Sequence, residues 1–333
     1  MENLLKFNDK IFVAGATGMA GSAIVRNLLR KGYGDKKKGG LLLTPKRNEL
    51  DLTDISSVRS WIKINKPTIV ILAAAKVGGI LANKNQPASF LLDNLKIQTN
   101  VIESSWSCDV RRLLFLGSSC IYPKYAKQPI KEEYLLTGEL EPTNEWYAIA
   151  KISGIKLCQS LRIQYGFDAI SLMPTNLYGP GDNYHPTNSH VMASLIRKFS
   201  EAKKNNLSSV TCWGNGSALR EFMHVDDLAE AVVFMLEKWD PTKENAPLTN
   251  CGEVLSYLNV GTGIDISIKD LSEKIAYYCE FTGNIIWDEN MPNGTPKKEL
   301  DISRIKDLGW SHSIDLDQGI YETLISYWKQ NYI

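Results

Sequence analysis

The chain has 333 residues, of which 44% are hydrophobic and 23% are charged, and these values are typical of a folded globular protein rather than a disordered one. Its 38 lysines and arginines against 37 acidic residues leave a net charge of +1, which provides no overall field for binding nucleic acid. The six cysteines are scattered, without a C-x-x-C pair, so neither a disulfide framework nor a metal site is expected.

The N-terminus lacks the continuous apolar stretch of a signal peptide. No later run reaches the ~18 apolar residues that a membrane span needs. We therefore expect a cytoplasmic protein without a membrane partner.

Short apolar runs alternate with longer segments of helical period through the first half of the chain. The runs at 11–14, 41–43 and 69–75 are followed by helical segments at 20–30, 55–64 and 89–106, and a fourth run lies at 113–116. Repeated β-then-α units predict an α/β fold with a Rossmann-type doubly wound parallel sheet. Ligands bind beyond the carboxyl ends of such strands, so the segments that follow each run are the candidate sites.

The alternation of apolar runs and helical segments becomes irregular after about residue 175, where prolines and polar residues are frequent. Strand and helix patterns return at 225–237 and 258–261. This pattern favours a smaller α/β lobe built from interleaved segments. We predict a cofactor-binding domain from 1–175 with 222–262, and a substrate-binding lobe from 176–221 with 263–333.

The first strand is followed by a glycine-rich loop that opens a helix. Its spacing is G-x-x-G-x-x-G, in the run Gly15-Ala16-Thr17-Gly18-Met19-Ala20-Gly21. Glycines permit a tight turn, and the positive end of the helix attracts a pyrophosphate. The pattern predicts dinucleotide binding, although a glycine turn can also serve packing alone.

Basic groups follow the second strand, where an acidic side chain usually holds the ribose of a cofactor that lacks a 2′-phosphate. Arg47, with Lys46 beside it, would suit the 2′-phosphate of NADP; the alternative is an ordinary surface loop. Asp51 lies a few residues later and could meet the adenine edge or cap the next helix.

Tyr147 and Lys151 are spaced i and i+4 on a segment of helical character, so both project from one face. A nearby ammonium favours the tyrosinate, which makes the phenol a better proton donor or acceptor near neutral pH. Such pairs also occur by chance on exposed helices. Ser118 supports a catalytic role for the pair. It lies in the segment that directly follows the fourth strand, where its hydroxyl can hydrogen-bond a substrate carbonyl.

These features resemble the extended short-chain dehydrogenase/reductase superfamily. Longer segments are similar to its epimerase-reductases of GDP-linked 4-keto-6-deoxy sugars, and the similarity extends from the first strand to the last helix. The segments are Leu-Ala-Ala-Ala-Lys-Val-Gly-Gly-Ile at 72–80, Gly-Ser-Ser-Cys-Ile-Tyr-Pro at 117–123, Glu-Pro-Thr-Asn-Glu at 141–145, Pro-Thr-Asn-Leu-Tyr-Gly-Pro at 174–180 and Asn-Ser-His-Val at 188–191.

The resemblance implies two epimerisations of GDP-4-keto-6-deoxy-D-mannose, at the carbons flanking the ketone, followed by reduction with NADPH to GDP-L-fucose. Cys120 would be the base and His190 the acid in epimerisation. In reduction Tyr147 would protonate the alkoxide, Ser118 would steady the carbonyl, and Lys151 would bind the nicotinamide ribose. Without the resemblance, Cys120 would be a packing residue and His190 a helix cap or surface residue.

The resemblance also implies the remaining contacts, and a homodimer formed by the helices near 89–106 and 143–163. Besides the glycine loop, Arg47 and Asp51, the NADP(H) contacts are expected from Leu116, Gly117, Ser118, Ser119, Lys151, Pro174, Thr175, Asn176, Leu177 and His190. The GDP-sugar contacts are expected from Lys198, Trp213 and Arg220, with Asn293 and Lys298 as weaker candidates.

Three positions depart from the family pattern: Thr17 and Lys198 each stand where some relatives have arginine, and Trp146 stands where a smaller residue is usual. Another nucleotide-sugar reductase or epimerase is the nearest alternative, and a non-catalytic NADP-binding protein is a remote one. A dehydratase is disfavoured, because the run that follows the fourth strand carries no Asp-Glu pair.

Overall fold

The computed structural model describes residues 3–291 and 294–332. In these residues the strands are Lys10–Ala14 (β1), Leu41–Leu43 (β2), Ile69–Leu72 (β3), Arg112–Leu116 (β4), Ala169–Pro174 (β5), Asn176–Tyr178 (β6), Ser209–Trp213 (β7), Leu219–His224 (β8), Tyr257–Val260 (β9), Asp265–Ser267 (β10), Asn284–Asp288 (β11) and Lys297–Lys298 (β12). The helices are Met19–Arg30 (α1), Ile55–Asn65 (α2), Ile80–Asn85 (α3), Pro87–Ser107 (α4), Glu145–Tyr165 (α5), Val191–Lys204 (α6), Val225–Lys238 (α7), Ile268–Tyr278 (α8), Ser303–Asp307 (α9) and Leu316–Asn331 (α10).

The larger sheet is parallel, with strand order β2-β1-β3-β4-β5-β9. Every residue of β3, β4, β5 and β9 is buried, as expected for strands covered on both faces by helices. The strand order reverses between β1 and β3, and ligands of doubly wound sheets bind at such a switch point. The predicted fold class is therefore confirmed.

A second sheet forms around β8, which pairs with β10, β12 and β6, while β7 pairs with β11. A second apolar core, distinct from that of the larger sheet, lies under α6, α8 and α10. Strand β8 joins the two cores, because Phe222 packs in the second core and Met223 in the first. Leu300 and Trp310, from the C-terminal segment, also pack in the first core. The division into two domains at the predicted boundaries stays a prediction.

Two elements differ from the sequence predictions by more than one residue at a boundary. Strand β3 ends at Leu72 rather than at residue 75, because the Gly15 turn lies directly against the backbone of Ala74. The helical segment predicted at 89–106 begins earlier, at Pro87, and is preceded by the short helix α3. The break falls at Gln86, since a proline disfavours helical backbone at the residue before it.

A search for membrane-crossing helices over the described ranges found none that is long and apolar enough.

Candidate active site

The turn between β1 and α1 requires two of its glycines. Gly15 adopts a left-handed φ of +88°, and a Cβ there would lie 2.7 Å from the backbone nitrogen and Cα of Ala74. A Cβ on Gly21 would lie 2.0 Å from the carbonyl oxygen of Gly15. The turn can therefore close against the sheet and against α1 only when both positions lack a side chain.

Gly18 is the N-cap of α1, and no side chain caps this helix terminus in the described structure. The first turn of α1 also lacks acidic residues, and both Thr17 and Gly18 are exposed. Backbone N–H groups at a helix N-terminus bind anions well. The geometry fits the pyrophosphate of a dinucleotide, with Met19 and Ala20 in the first helical turn.

Arg47 and Asp51 lie in the exposed segment after β2. The Asp51 carboxylate accepts hydrogen bonds from the backbone N–H and hydroxyl of Thr53, and these bonds, with a smaller contribution from nearby Arg47, lower its pKa. Asp54, rather than Asp51, caps α2 by accepting from the N–H groups of Ser56 and Ser57. The capping alternative for Asp51 is thus wrong, and its carboxylate lies beside the Arg47 guanidinium instead.

The end of β4 brings the predicted reacting groups together. Ser118 begins a short 3-10 helix over Ser119–Ile121, and its hydroxyl oxygen accepts a 3.2 Å hydrogen bond from the Cys120 N–H. The same hydroxyl lies beside the Tyr147 phenol, which projects from the first turn of α5. One turn later, buried Lys151 donates a 2.7 Å hydrogen bond to the carbonyl oxygen of Leu116. This bond joins α5 to the carboxyl end of β4.

Burial dominates the electrostatics of Tyr147 and Lys151. It raises the pKa of Tyr147 above its usual value, and the Cys120 sulfur adds to this effect while the Ser118 hydroxyl opposes it. Burial lowers the pKa of Lys151 to about 7. The Lys151 nitrogen lies 5.9 Å from the centroid of the Tyr147 ring. Here burial outweighs the expected stabilisation of a tyrosinate, so Tyr147 is a protonated phenol at neutral pH.

Cys120 is surrounded by positive charge. The Lys298 ammonium on β12 lies 3.4 Å from the Cys120 sulfur, and the Arg220 guanidinium on β8 lies nearby. Burial raises the pKa of the thiol, but the Lys298 charge and hydrogen bonds from Ser118 and Lys298 outweigh burial and lower it below its ordinary value. Positive charge next to a thiol favours the thiolate, which is the form that can act as a base.

His190 is the N-cap residue of α6, but its side chain makes no capping hydrogen bond there in the described structure. The imidazole is reached by water, yet the surrounding protein atoms desolvate it enough to lower its pKa. The preceding segment is docked against the loop after β3, where the Gly79 N–H donates a 3.1 Å hydrogen bond to the Asn188 carbonyl. A Cβ on Gly79 would lie 2.5 Å from the Ser189 carbonyl oxygen, so this docking requires the glycine.

The segment from Pro174 to Leu177 leads from the large sheet into the second one. Thr175 donates its N–H to the Val260 carbonyl at 3.0 Å, and the Asn176 side chain donates to the Glu221 carbonyl at 2.8 Å. These bonds fix the position of the segment at the carboxyl edge of the large sheet, beside β9.

The predicted sugar-nucleotide residues lie on α6, β7 and β8. The Lys198 ammonium donates to the Thr211 carbonyl at 2.8 Å and lies 5.7 Å from the Trp213 ring centroid. Trp213 is 39% exposed, which leaves its ring free to contact a ligand. Arg220 is partly buried and lies opposite Lys298 in the parallel pairing of β8 with β12. Asn293 lies outside the described residues.

Sequence reasoning missed Glu221, a fully buried carboxylate that adjoins Arg220 on β8. Its oxygens accept hydrogen bonds from the backbone N–H groups of Thr262, Gly263 and Leu300 at 2.6, 3.0 and 2.9 Å. The available signal was an acidic residue directly before the apolar pair Phe222 and Met223, since buried carboxylates are almost always paired.

The chain is similar to known proteins in sequence and in structure. The model of the NAD dependent epimerase/dehydratase family matches residues 11–252. The chain is 52% identical to GDP-L-fucose synthase 1 of Arabidopsis thaliana, over 96% of this chain and 93% of that protein. It is 48% identical to GDP-L-fucose synthase of Escherichia coli (strain K12), over 95% of each. A solved structure of MlghC, GDP-mannoheptose C4 reductase from Campylobacter jejuni with NADP bound, is 36% identical, with a TM-score of 0.83 over 97% of this chain and 99% of that one.

Proposed function

Because the chain belongs to the NAD dependent epimerase/dehydratase family and, within it, to the GDP-L-fucose synthases, we propose that the side chains at the end of β4 perform both steps of GDP-L-fucose formation. The protein is an enzyme that uses a nicotinamide cofactor and acts on a GDP-sugar. The observation that carries the proposal is the clustering of Ser118, Cys120 and Tyr147 around one point.

The first step inverts the two carbons that flank the 4-ketone of GDP-4-keto-6-deoxy-D-mannose. The ketone acidifies the hydrogens on both neighbours, so a base removes one proton and an acid returns another to the opposite face through an enolate. Cys120 is the proposed base, because the Lys298 ammonium, 3.4 Å from its sulfur, helps to lower the pKa of the thiol below its ordinary value despite burial and so favours the thiolate. His190 is the proposed acid, because its imidazole is accessible and its lowered pKa makes the imidazolium a readier proton donor.

The second step reduces the ketone. NADPH, when bound, supplies the hydride. The protonated Tyr147 phenol donates its proton to the developing alkoxide, and the Ser118 hydroxyl donates a hydrogen bond to the same oxygen. Lys151 holds the nicotinamide ribose and, through the Leu116 carbonyl, keeps α5 against β4. The raised pKa of Tyr147 suits this role, because a phenol that stays protonated at neutral pH is ready to donate.

We propose NADP(H) rather than NAD(H) as the cofactor. The glycine turn and the open N-terminus of α1 fit a dinucleotide pyrophosphate. Exposed Arg47, after β2, is the proposed partner of the 2′-phosphate. This role matters more here because Thr17 stands where some relatives have a loop arginine. The structure of the similar Campylobacter jejuni C4 reductase contains NADP, which supports the same choice.

The GDP group is proposed to bind along α6, β7 and β8. The partly buried Arg220 guanidinium suits the diphosphate, because guanidinium groups bind phosphate oxygens in a bidentate manner. Lys198 provides a second cation beside the diphosphate, and the half-exposed Trp213 ring provides an apolar face for the base or ribose.

We further propose a cytoplasmic homodimer that forms through α4 and α5. These helices pack against each other, with the Trp106 and Tyr165 ring centroids 4.5 Å apart, and they expose the apolar side chains of Leu92, Ile149 and Ile163. Light scattering at micromolar concentration should give twice the chain mass, and Ile149→Asp should lower it to that of one chain. A wild-type mass of one chain would refute the dimer.

The deciding experiment is turnover of GDP-4-keto-6-deoxy-D-mannose with NADPH, followed by analysis of the released sugar. Fucose is the expected product and requires both steps. Rhamnose would mean that reduction occurs without epimerisation, so that Cys120 and His190 are misassigned. Tight binding of NADPH without turnover would overturn the catalytic assignment as a whole.

A further inference from the structure

Strand β12 carries two consecutive lysines that point to different partners. The Lys297 ammonium is neutralised by Asp265 at 2.9 Å and Glu299 at 2.6 Å. The Lys298 ammonium instead lies 3.4 Å from the Cys120 sulfur, on the opposite face of the strand. Lys298 therefore contacts the thiol, and the adjacent Lys297 can serve as a matched control for substitutions of Lys298.

The position of Lys298 is enforced by the backbone on both sides of it. Gln128 donates its side-chain amide to the Lys297 carbonyl at 3.2 Å and accepts from the Glu299 N–H at 2.9 Å. The buried Glu221 carboxylate accepts from the Leu300 N–H. The backbone is thus held at Lys297 before Lys298 and at Glu299 and Leu300 after it, and these bonds fix the strand that presents the ammonium group to Cys120.

The groups that face Cys120 from neighbouring elements are predominantly positive or hydrogen-bond donating. Lys298 faces it from β12, Arg220 from β8 and the Tyr147 phenol from α5, while the Ser118 hydroxyl belongs to its own segment. Glu141 is the nearby acid that acts on Arg220, and its carboxylate is already paired with Lys124 at 3.1 Å.

Other cysteines in the described part of the chain have the opposite environment. Burial raises the pKa of Cys158 to about 12 and that of Cys279 to about 11, and it also raises the pKa of Cys212. Cys120 departs from this behaviour because the Lys298 charge and hydrogen bonds from Ser118 and Lys298 outweigh its burial. The contrast indicates that the folded structure favours ionisation of the Cys120 thiol.

We propose that Lys298 is the positioning residue that keeps Cys120 as a thiolate for proton abstraction, rather than a ligand of the sugar nucleotide. This inference rests on the proposed function of Cys120 as the epimerisation base. In the step itself, the thiolate sulfur takes a proton from the carbon next to the ketone and becomes a thiol. The C–H electron pair forms the enolate, and the Lys298 ammonium keeps its proton throughout.

The test is the pH dependence of Cys120 alkylation by iodoacetamide, with mass spectrometry of the peptide to identify the modified residue. The reaction needs neither substrate nor NADPH, so its result does not depend on the proposed function. The exposed Cys251 is replaced by serine in every protein to limit competing reaction. Circular dichroism melting verifies that each variant is folded, and Lys298→Met, which keeps the aliphatic stem, replaces Lys298→Gln if the latter unfolds.

We expect Lys298→Gln to raise the midpoint of Cys120 alkylation by at least one pH unit, so that the rate falls about tenfold at pH values well below both midpoints. Lys298→Arg should restore most of the rate, and Lys297→Gln should match the parent. An unchanged midpoint in Lys298→Gln, or an equal shift in Lys297→Gln, would overturn the inference.

A further measurement separates this inference from the proposed function. Deuterium exchange from solvent into the substrate should show its acidic limb shifted to higher pH in Lys298→Gln, with KM changed less than twofold. A large rise in KM with an unchanged pH profile would instead make Lys298 a substrate ligand. If the parent enzyme gave rhamnose while the alkylation shift persisted, epimerisation would fail as the function and the pairing of Lys298 with Cys120 would stand.

Discussion

Two glycines of the same turn are expected to respond differently to a methyl group. In Gly21→Ala the new Cβ would lie 2.0 Å from the Gly15 carbonyl oxygen, and the contact is with backbone that cannot rotate away. In Gly18→Ala the nearest atom to the new Cβ is the same oxygen at an ordinary 3.5 Å, and the φ of −79° suits alanine. The first substitution therefore strains the fold, whereas the second fills space in front of the α1 N-terminus.

The geometry sets the expected magnitudes. Forcing a methyl group into a filled site costs about 1–3 kcal/mol, and for a domain of this size each kcal/mol lowers the melting temperature by roughly 2–4 °C. Gly21→Ala without cofactor should thus melt about 5 °C below the wild type. For Gly18→Ala, the loss of a favourable N-cap and the reduced entropy of the unfolded chain offset each other to within about 0.5 kcal/mol. Its melting temperature should stay near that of the wild type.

Cofactor affinity should behave differently from stability. Both variants should bind NADPH at least ten times more weakly, which corresponds to about 1.4 kcal/mol, because Gly18→Ala blocks the approach to the N–H groups and Gly21→Ala displaces the turn. Thermal unfolding by circular dichroism and titration of NADPH fluorescence measure the two quantities. The reasoning is refuted if Gly21→Ala melts with the wild type, or if Gly18→Ala binds NADPH with unchanged affinity.

Three further substitutions test other parts of the site. Cys120→Ser should abolish solvent-proton exchange at the sugar carbons beside the ketone while NADPH affinity is unchanged; wild-type exchange rates by NMR would remove Cys120 as the base. Lys151 has a native pKa of about 7 against about 10.4 in an unfolded chain, so above pH 7 the unfolded state binds more protons and stability rises with pH. In Lys151→Met without cofactor, the free energy of unfolding, measured with urea, should therefore rise less steeply with pH. Between pH 8 and 9.5 its slope should be smaller by about 1.4 kcal/mol per pH unit. Equal slopes in the wild type and the variant would contradict the lowered pKa of the buried lysine. Glu221→Gln should lower the free energy of unfolding by about 2 kcal/mol, because one backbone N–H loses its acceptor, while the control Glu299→Gln should change it by less than about 1 kcal/mol.

The sheet and the Tyr147–Lys151 pair follow from local patterns in the sequence, whereas the roles of Cys120 and His190 were predicted from the family resemblance. Alternation of apolar runs with helical segments predicts the strand-helix units, and the carboxyl-edge rule locates the site after β1 and β4. Tyr147 and Lys151 are found by their spacing on α5, since one helical turn puts both on the same face. These features depend on neighbours within a few residues, which is why one sequence suffices to predict them.

The partners that tune the site could not be predicted in this way. Lys298 lies in a two-residue strand without a periodic signal, and it reaches Cys120 only because β12 pairs with β8. Glu221 connects backbone segments that are distant in sequence from β8. The shift in the Tyr147 pKa depends on how much water packing excludes, and spacing does not report that quantity. Only tertiary structure establishes such relationships.

The separation of 178 residues between Cys120 and Lys298 has a consequence for biosynthesis. During translation the thiol emerges long before β12 is made, so the nascent chain contains an ordinary cysteine for most of its synthesis. The anchor provided by Leu300 arrives later still, after the whole of the large sheet has been synthesised. The lysine contact that favours the Cys120 thiolate exists only in the finished molecule, and fragments that end before residue 297 should carry a Cys120 of ordinary reactivity.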